Sequence, residues 1–166
     1  MSSRIRRTPI VSLIMTDIYC LLGRVRRSKE FYGREIMMED GRKFKIFRQI
    51  NLKTGKSKKD SSPAILIVRF KFARFSQKTN RRLSLIPIPM IVGFPGFRTK
   101  VWMADEDTGY WQGLYEFESE DTLEEYKKSF VLGIMNRRAV KDSISYRTIK
   151  HSRVSEYLNN RLVKGQ

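Results

Sequence analysis

An α+β fold, an antiparallel sheet whose chain order runs strand, crossover, strand, strand, helix, strand, is predicted for residues 63–150 by three observations. Residues 64–75 alternate, with Ala64, Leu66, Val68, Phe70 and Phe72 on one face and Ile65, Ile67, Arg69, Lys71 and Ala73 on the other. Residues 97–103 and 110–117 are aromatic and β-branched runs joined by Asp105-Glu106-Asp107-Thr108-Gly109, which has the chemistry of a hairpin turn. Behind that hairpin, residues 119–135 carry a helical stripe after an acidic start, and residues 143–149 alternate again as a final strand.

From the first residue onward, MSSRIRR is a short basic arm. Thr8 is placed as an N-cap with Pro9 at the first helical position, and an apolar helix then runs to Leu22, where Gly23 stops it. Ser12, Thr16 and Asp17 interrupt this run, which falls short of the roughly 20 apolar residues that span a bilayer. An export signal is not expected, because no small-x-small cleavage site follows and RVRRSK comes next. Two readings stay open. The helix packs its apolar surface on the domain, or it lies among anionic headgroups or covers a partner subunit, with Arg4, Arg6, Arg7, Arg24, Arg26, Arg27 and Lys29 as the anionic-surface candidates.

Residues 34–50 read as a hairpin turning at Glu39-Asp40-Gly41, and residues 51–62 as a basic loop without periodicity. The chain therefore divides into a basic N-terminal extension over 1–62 (helix 9–22, hairpin 34–50, loop 51–62), an α+β domain over 63–150, and a tail over 151–166. Within the domain, Pro87 and Pro89 force the first crossover to be short or broken. Asp121 with Glu124 forms a capping-box pattern for the helix behind the hairpin, and Leu123, Tyr126, Phe130, Val131 and Ile134 mark its buried stripe. In the tail, Val154, Tyr157, Leu158 and Leu162 fall on one side of a helix. This order is the ferredoxin-like βαββαβ arrangement. Its helices cover one face of a four-stranded sheet, so the other face is solvated, covered by ligand, or buried in a second copy of the chain.

Composition narrows the chemistry. Cys20 is the single cysteine and His151 the single histidine, which removes a disulfide framework and any His- or Cys-based metal site. No metal and no cofactor is expected, carboxylate-bound ions being left open, and a reducing, cytoplasmic setting is the default. The formal charge is +17, with 24 Lys and Arg against 6 acids in residues 1–100 and 10 against 11 in residues 101–166. Such a field favours anionic partners, although solubility accounts for it equally well.

The stretches RRLSLIPIPMIVGFPGFRTKVW (81–102) and TGYWQGLYEFESEDTLEEYKKSFVLGIMNRRAVKDSISYRTI (108–149) resemble the dimeric α/β-barrel superfamily, near its antibiotic-biosynthesis-type mono-oxygenase branch. The marks are Gly96-Phe97-Arg98-Thr99-Lys100 and Trp102 in the second strand, Thr108-Gly109 at the turn, Gly113 and Tyr115 in the third strand, and Tyr126 with Ser129-Phe130 on the helix. The resemblance implies a homodimer whose two sheets pair into a barrel that can hold a small hydrophobic or aromatic ligand. Cofactor-free oxygenases of this kind let the substrate itself meet oxygen, so the protein needs to bind an electron-rich aromatic, stabilise its anion and exclude water. Arg69, Lys71 and Arg98 are the candidate cations, Trp102, Tyr115 and Tyr126 the candidate wall, and Gln112 a polar handle, with the mixed face of the 64–75 strand lining the pocket. The three aromatics serve equally as plain core.

Other readings are weighed on the same residues. Haem degradation is not expected, since such relatives place a histidine on the second helix and none stands there. Sequence-specific nucleic-acid binding is not expected either, because Tyr110-Trp111-Gln112-Gly113-Leu114-Tyr115 lacks a basic-Gly start and acids flank it. A non-catalytic scaffold dimer, or a basic protein meeting an anionic membrane or nucleic acid through residues 1–60, is the alternative to an oxygenase-like pocket.

Overall fold

The computed structural model describes residues 9–53 and 62–163. Its elements are α1 (Pro9–Leu21), β1 (Val25–Arg27), β2 (Glu35–Met37), β3 (Lys43–Leu52), β4 (Ala64–Lys71), α2 (Gln77–Leu83), α3 (Ile88–Val92), β5 (Phe97–Ala104), β6 (Tyr110–Phe117), α4 (Glu120–Lys127), α5 (Phe130–Arg138), β7 (Ser145–Lys150) and α6 (Val154–Asn159). Seven strands form one antiparallel sheet in the order β1-β3-β5-β6-β4-β7, and β2 shares the outer edge of β3 with β1. The path β7-β4-β6-β5 is the ferredoxin-like core, and β3 extends it by pairing with β5 from Lys45↔Ala104 to Asn51↔Thr99.

The local chemistry explains the connections. Between β5 and β6, the Asp105 carboxylate accepts from the Asp107 and Thr108 amides at 3.1 and 3.0 Å, and Gly109 takes φ +75°, where a side chain would be strained. The first crossover is broken, as the prolines require, into α2 and α3 with Pro87 between them. The second is broken too. The helical pattern over 119–135 is realised as α4 and α5, separated at Lys128–Ser129. Ser119, rather than Asp121, caps α4: its backbone is extended and its hydroxyl accepts the Thr122 amide at 3.3 Å, which leaves Asp121 already helical. Of the expected stripe, Leu123, Tyr126 and Val131 are buried, whereas Phe130 and Ile134 stay partly in solvent because the break re-aims the second helix. β4 also ends at Lys71 rather than Phe75, since Phe72 turns away to bridge Ala139 and Phe75 takes φ +69°.

Two apolar clusters sandwich the sheet. On one side Leu66, Val68, Phe70, Trp102, Trp111, Tyr115 and Phe117 meet the helices α3 to α5. On the other, Ile65, Ile67, Val101, Met103 and Leu114 meet Phe31, Ile36, Phe44 and Ile46 from the N-terminal segment and Val154, Tyr157 and Leu158 from α6. The sheet face that the order of elements leaves uncovered is thus closed by the chain's own two ends. α6 is fastened there by Glu116, whose carboxylate accepts the Val154 amide at 2.9 Å. Burial raises the Glu116 carboxyl above its ordinary value, against the pull of that amide and of Arg153. A carboxyl with a raised folded value adds stability that is complete below the unfolded value and disappears as pH rises through the folded one. Glu116→Gln keeps an acceptor for Val154 without the charge. The Tm difference between wild type and variant should therefore move in the variant's favour as pH is raised from acid toward neutral, and a flat difference would contradict this.

α1 sits unexpectedly. Its buried residues are Ser12 and Thr16, not its aliphatic ones. The Thr16 hydroxyl donates to the Pro89 carbonyl, and a β-carbon at Gly93 would overlap the backbone of Ser12, so α1 and α3 touch backbone to backbone. Gly93→Ala should push α1 off the domain at a cost of about 1–3 kcal/mol. Amide exchange of residues 10–21 should rise while the sheet stays protected.

Candidate functional site

A cavity of about 320 Å³ lies between the helix-covered face of the sheet and the α2–α3 and α5 segments. Phe70 and Phe72 come from the β4 end, Lys100 and Trp102 from β5, Trp111, Gly113 and Tyr115 from β6, Ile86, Pro87 and Met90 from the broken crossover, and Val131, Ile134, Met135 and Arg138 from α5. Strand alternation chooses these residues. Lys100 and Trp102 share a face at i, i+2, as do Trp111, Gly113 and Tyr115, while Val101, Met103 and Leu114 point into the opposite core. Gly113 is required by a close approach: a β-carbon there would stand 2.9 Å from Tyr115 Cε2, so the missing side chain lets the Tyr115 ring lie over the strand.

Lys100 is the centre of the site. It is 2% exposed, and its Nζ stands 4.2 Å from the Trp102 ring centroid and 4.1 Å from that of Tyr115. Among the described residues it has no ion pair and no hydrogen bond, and no Asp or Glu lines the cavity. Burial, with a further push from Arg48, lowers its pKa well below 10.5. An amine that loses its proton so readily is a base that can accept one from a ligand.

Arg48 reaches this site through a β-bulge. The register of β3 against β5 slips between Ile46 and Arg48, so Phe44 and Ile46 face one core while Arg48 turns to the helix side, where Ile50 and Leu52 also lie. There its guanidinium donates to Ser84 Oγ at 2.5 Å and to the Arg81 carbonyl at 3.0 Å, and sits 5.6 Å from the Trp102 ring. Arg138, on the far wall, stacks over Phe72 at 4.8 Å. The cavity is therefore apolar in its walls and cationic in its polar groups. Tyr115 donates its hydroxyl to Met135 Sδ at 3.2 Å, and burial raises its phenol, which stays protonated.

Of the residues singled out from the sequence, Trp102 and Tyr115 line the cavity. Tyr126 is fully buried behind Tyr115, with ring centroids 5.5 Å apart, and serves as the support of the wall. Gln112 borders the cavity, but its side chain turns to the opposite face, accepting from Arg69 Nε at 2.8 Å and donating to Met38 Sδ at 3.3 Å. Arg69 is held on that opposite face by Asp40 and over the Phe44 ring. Lys71 lies over Tyr110 at 4.6 Å, and Arg98 pairs with Glu118 at 2.9 Å. The mixed face of β4 thus does not line the cavity; its apolar face does. Lys100, named only among the marks of the resemblance, and Arg48 are not among the site candidates. The signal for the first is its place two residues before Trp102, which puts both on one face of the strand, and a slip in register that no periodicity announces hides the second.

Arg24, Arg26, Arg27 and Lys29 are exposed, whereas Arg4, Arg6 and Arg7 lie outside the described residues. No helix among the described residues is long and apolar enough to cross a membrane, and no group of three or more His, Cys, Asp or Glu side chains among them is arranged to hold a metal.

A family model described as "Putative mono-oxygenase ydhR" matches residues 65–156, the segment from β4 into α6 that holds the residues lining the cavity. No curated protein and no solved structure matches the chain.

Proposed function

Because the chain belongs to the family of the "Putative mono-oxygenase ydhR", we propose that its cavity takes a flat, electron-rich aromatic molecule bearing an acidic hydroxyl, and that Lys100 removes the hydroxyl proton to prepare the molecule for oxygen. The observation that carries this reading is the uncompensated Lys100 amine between the Trp102 and Tyr115 rings. Burial and Arg48 lower the pKa of the amine, so it gives up its proton more readily than an exposed lysine. Once a phenol or enol enters, the proton moves to Nζ, and the resulting ammonium holds the oxyanion that it has made. Arg48 adds positive potential from behind Trp102, and the aliphatic and aromatic walls exclude water, which strengthens both effects. The anion is rich enough in electrons to react with dioxygen directly. Oxidation of an activated ring methylene to a carbonyl, with one oxygen atom retained and the other leaving as water, balances without an added reductant.

Both tryptophans of the chain, Trp102 and Trp111, line the cavity, so intrinsic fluorescence reads its occupancy. Titration with naphthol-type phenols should quench that fluorescence saturably, and oxygen uptake should follow with phenols that carry an activated methylene. Binding without oxygen uptake across a phenol series would reduce the protein to a ligand carrier. Absence of saturable quenching would remove the reading altogether.

A further inference from the structure

We propose that the outward apolar face of α1 docks on an anionic lipid bilayer, with Arg24, Arg26, Arg27 and Lys29 meeting its headgroups. A helix on a water-soluble domain ordinarily turns its apolar stripe inward. α1 does the reverse: Ile10, Ile14 and Leu21 are 68, 53 and 87% exposed, while Ser12 and Thr16 are buried. The inversion is built in by two specific contacts, the backbone approach that Gly93 permits and the Thr16 hydroxyl on the Pro89 carbonyl. Leu85 and Ile86, in the turn leading into α3, are also 50 and 64% exposed. A patch of this kind marks a surface that meets something apolar.

Charge decides between the occupants. Residues 9–29 hold four cations and one acid, Asp17, and the four cations are exposed on the segment 24–29 that follows α1. A second copy seated two-fold on the same face would bring those cations together on a protein already at +17. An anionic bilayer instead attracts them, while the aliphatic side chains enter the boundary between headgroups and acyl chains and the helix lies in the plane of the interface. Ile86 also lines the cavity, so a docked molecule would have its cavity beside the source of apolar ligands. The docking itself stands whether or not the cavity is catalytic.

The test is co-sedimentation of the full chain with sucrose-loaded vesicles of phosphatidylcholine alone and of phosphatidylcholine mixed with phosphatidylserine. Binding should require phosphatidylserine and weaken with salt. The triple variant Arg24→Ala/Arg26→Ala/Arg27→Ala should lose roughly a hundredfold in partitioning, and Ile10→Ser/Ile14→Ser/Leu21→Ser on the order of tenfold or more. Both sets of side chains are exposed, so circular dichroism and melting should match wild type. Cys20, exposed on α1 and the single cysteine, takes an environment-sensitive fluorophore whose emission should shift to the blue on phosphatidylserine vesicles. Equal binding to the two vesicle types, or unchanged binding by the serine variant, overturns the proposal. So does a wild-type dimer in solution that the serine variant converts to monomer, an outcome that assigns the face to a second copy.

Discussion

Lys100→Met removes saturable binding of phenolic ligands and any oxygen uptake, and at the same time makes the empty protein more stable. The first half follows from the loss of the one amine that the described residues bring to the cavity, and removal of a positioned proton acceptor costs a reaction about 10²–10⁴-fold. The second half follows from the same burial. A lysine whose folded pKa lies below 10.5 leaves the unfolded chain holding more protons across the interval between the two values, so wild-type stability rises with pH through that interval. Methionine fills a similar volume, carries no charge, and suits the apolar wall. The gain at neutral pH should be about 1–4 kcal/mol, the size seen when buried ion pairs give way to well-packed apolar side chains. Two measurements check it: a phenol titration followed by Trp fluorescence, and melting curves of both proteins across neutral to alkaline pH, where the variant's advantage should shrink as pH rises. A variant that binds phenols as wild type does would remove Lys100 from the site.

Tyr126→Ala should unfold more of the molecule than any substitution at the cavity surface. The ring is fully buried and packs against Phe94 at 5.1 Å, Phe117 at 4.9 Å and Tyr115 at 5.5 Å. Truncation deletes the contact between α4 and the sheet and leaves a void that these aromatics cannot close, at a cost of about 3–5 kcal/mol. For a chain of this size Tm should fall by on the order of 10 °C. Tyr126→Phe keeps the ring and should change stability by about 1 kcal/mol or less while leaving phenol binding intact. If the phenylalanine variant abolished binding with its fold preserved, Tyr126 would belong to the site rather than to its support.

Period and turn chemistry made the sheet legible. The β5–β6 hairpin, the broken crossover and the terminal strand each follow from alternation, an Asp-to-Gly turn or a pair of prolines acting over a few residues. What escaped depends on contacts between distant parts of the chain. Alternation divides β4 into two faces but cannot say which one meets a helix: the apolar face lines the cavity, while Arg69 on the mixed face lines a second hollow across the sheet. Gln112 borders the cavity, but which way its side chain turns is decided by Arg69 and Met38 across the sheet, which alternation does not announce. Trp102 and Tyr115 do stand at the cavity, each on the face of its strand that meets the helices. α1 is the plainest case: its amphipathic pattern is real, but Gly93 and Pro89, some eighty residues away, decide which side is buried.

The pairing of the sheet also dictates when it can exist. β4 lies between β6 and β7, so its register is complete only when Ala64 meets Lys150, and the long partner edge of β3 waits for β5. Few of these ladders join neighbours in sequence. During synthesis β4, one of the most apolar strands, therefore leaves the ribosome with neither partner made and keeps one edge unpaired until nearly the whole chain has followed. Such long-range pairing slows folding and prolongs the exposure of an unpaired edge. A chain broken off before residue 145 would be expected to aggregate rather than to persist as a smaller domain.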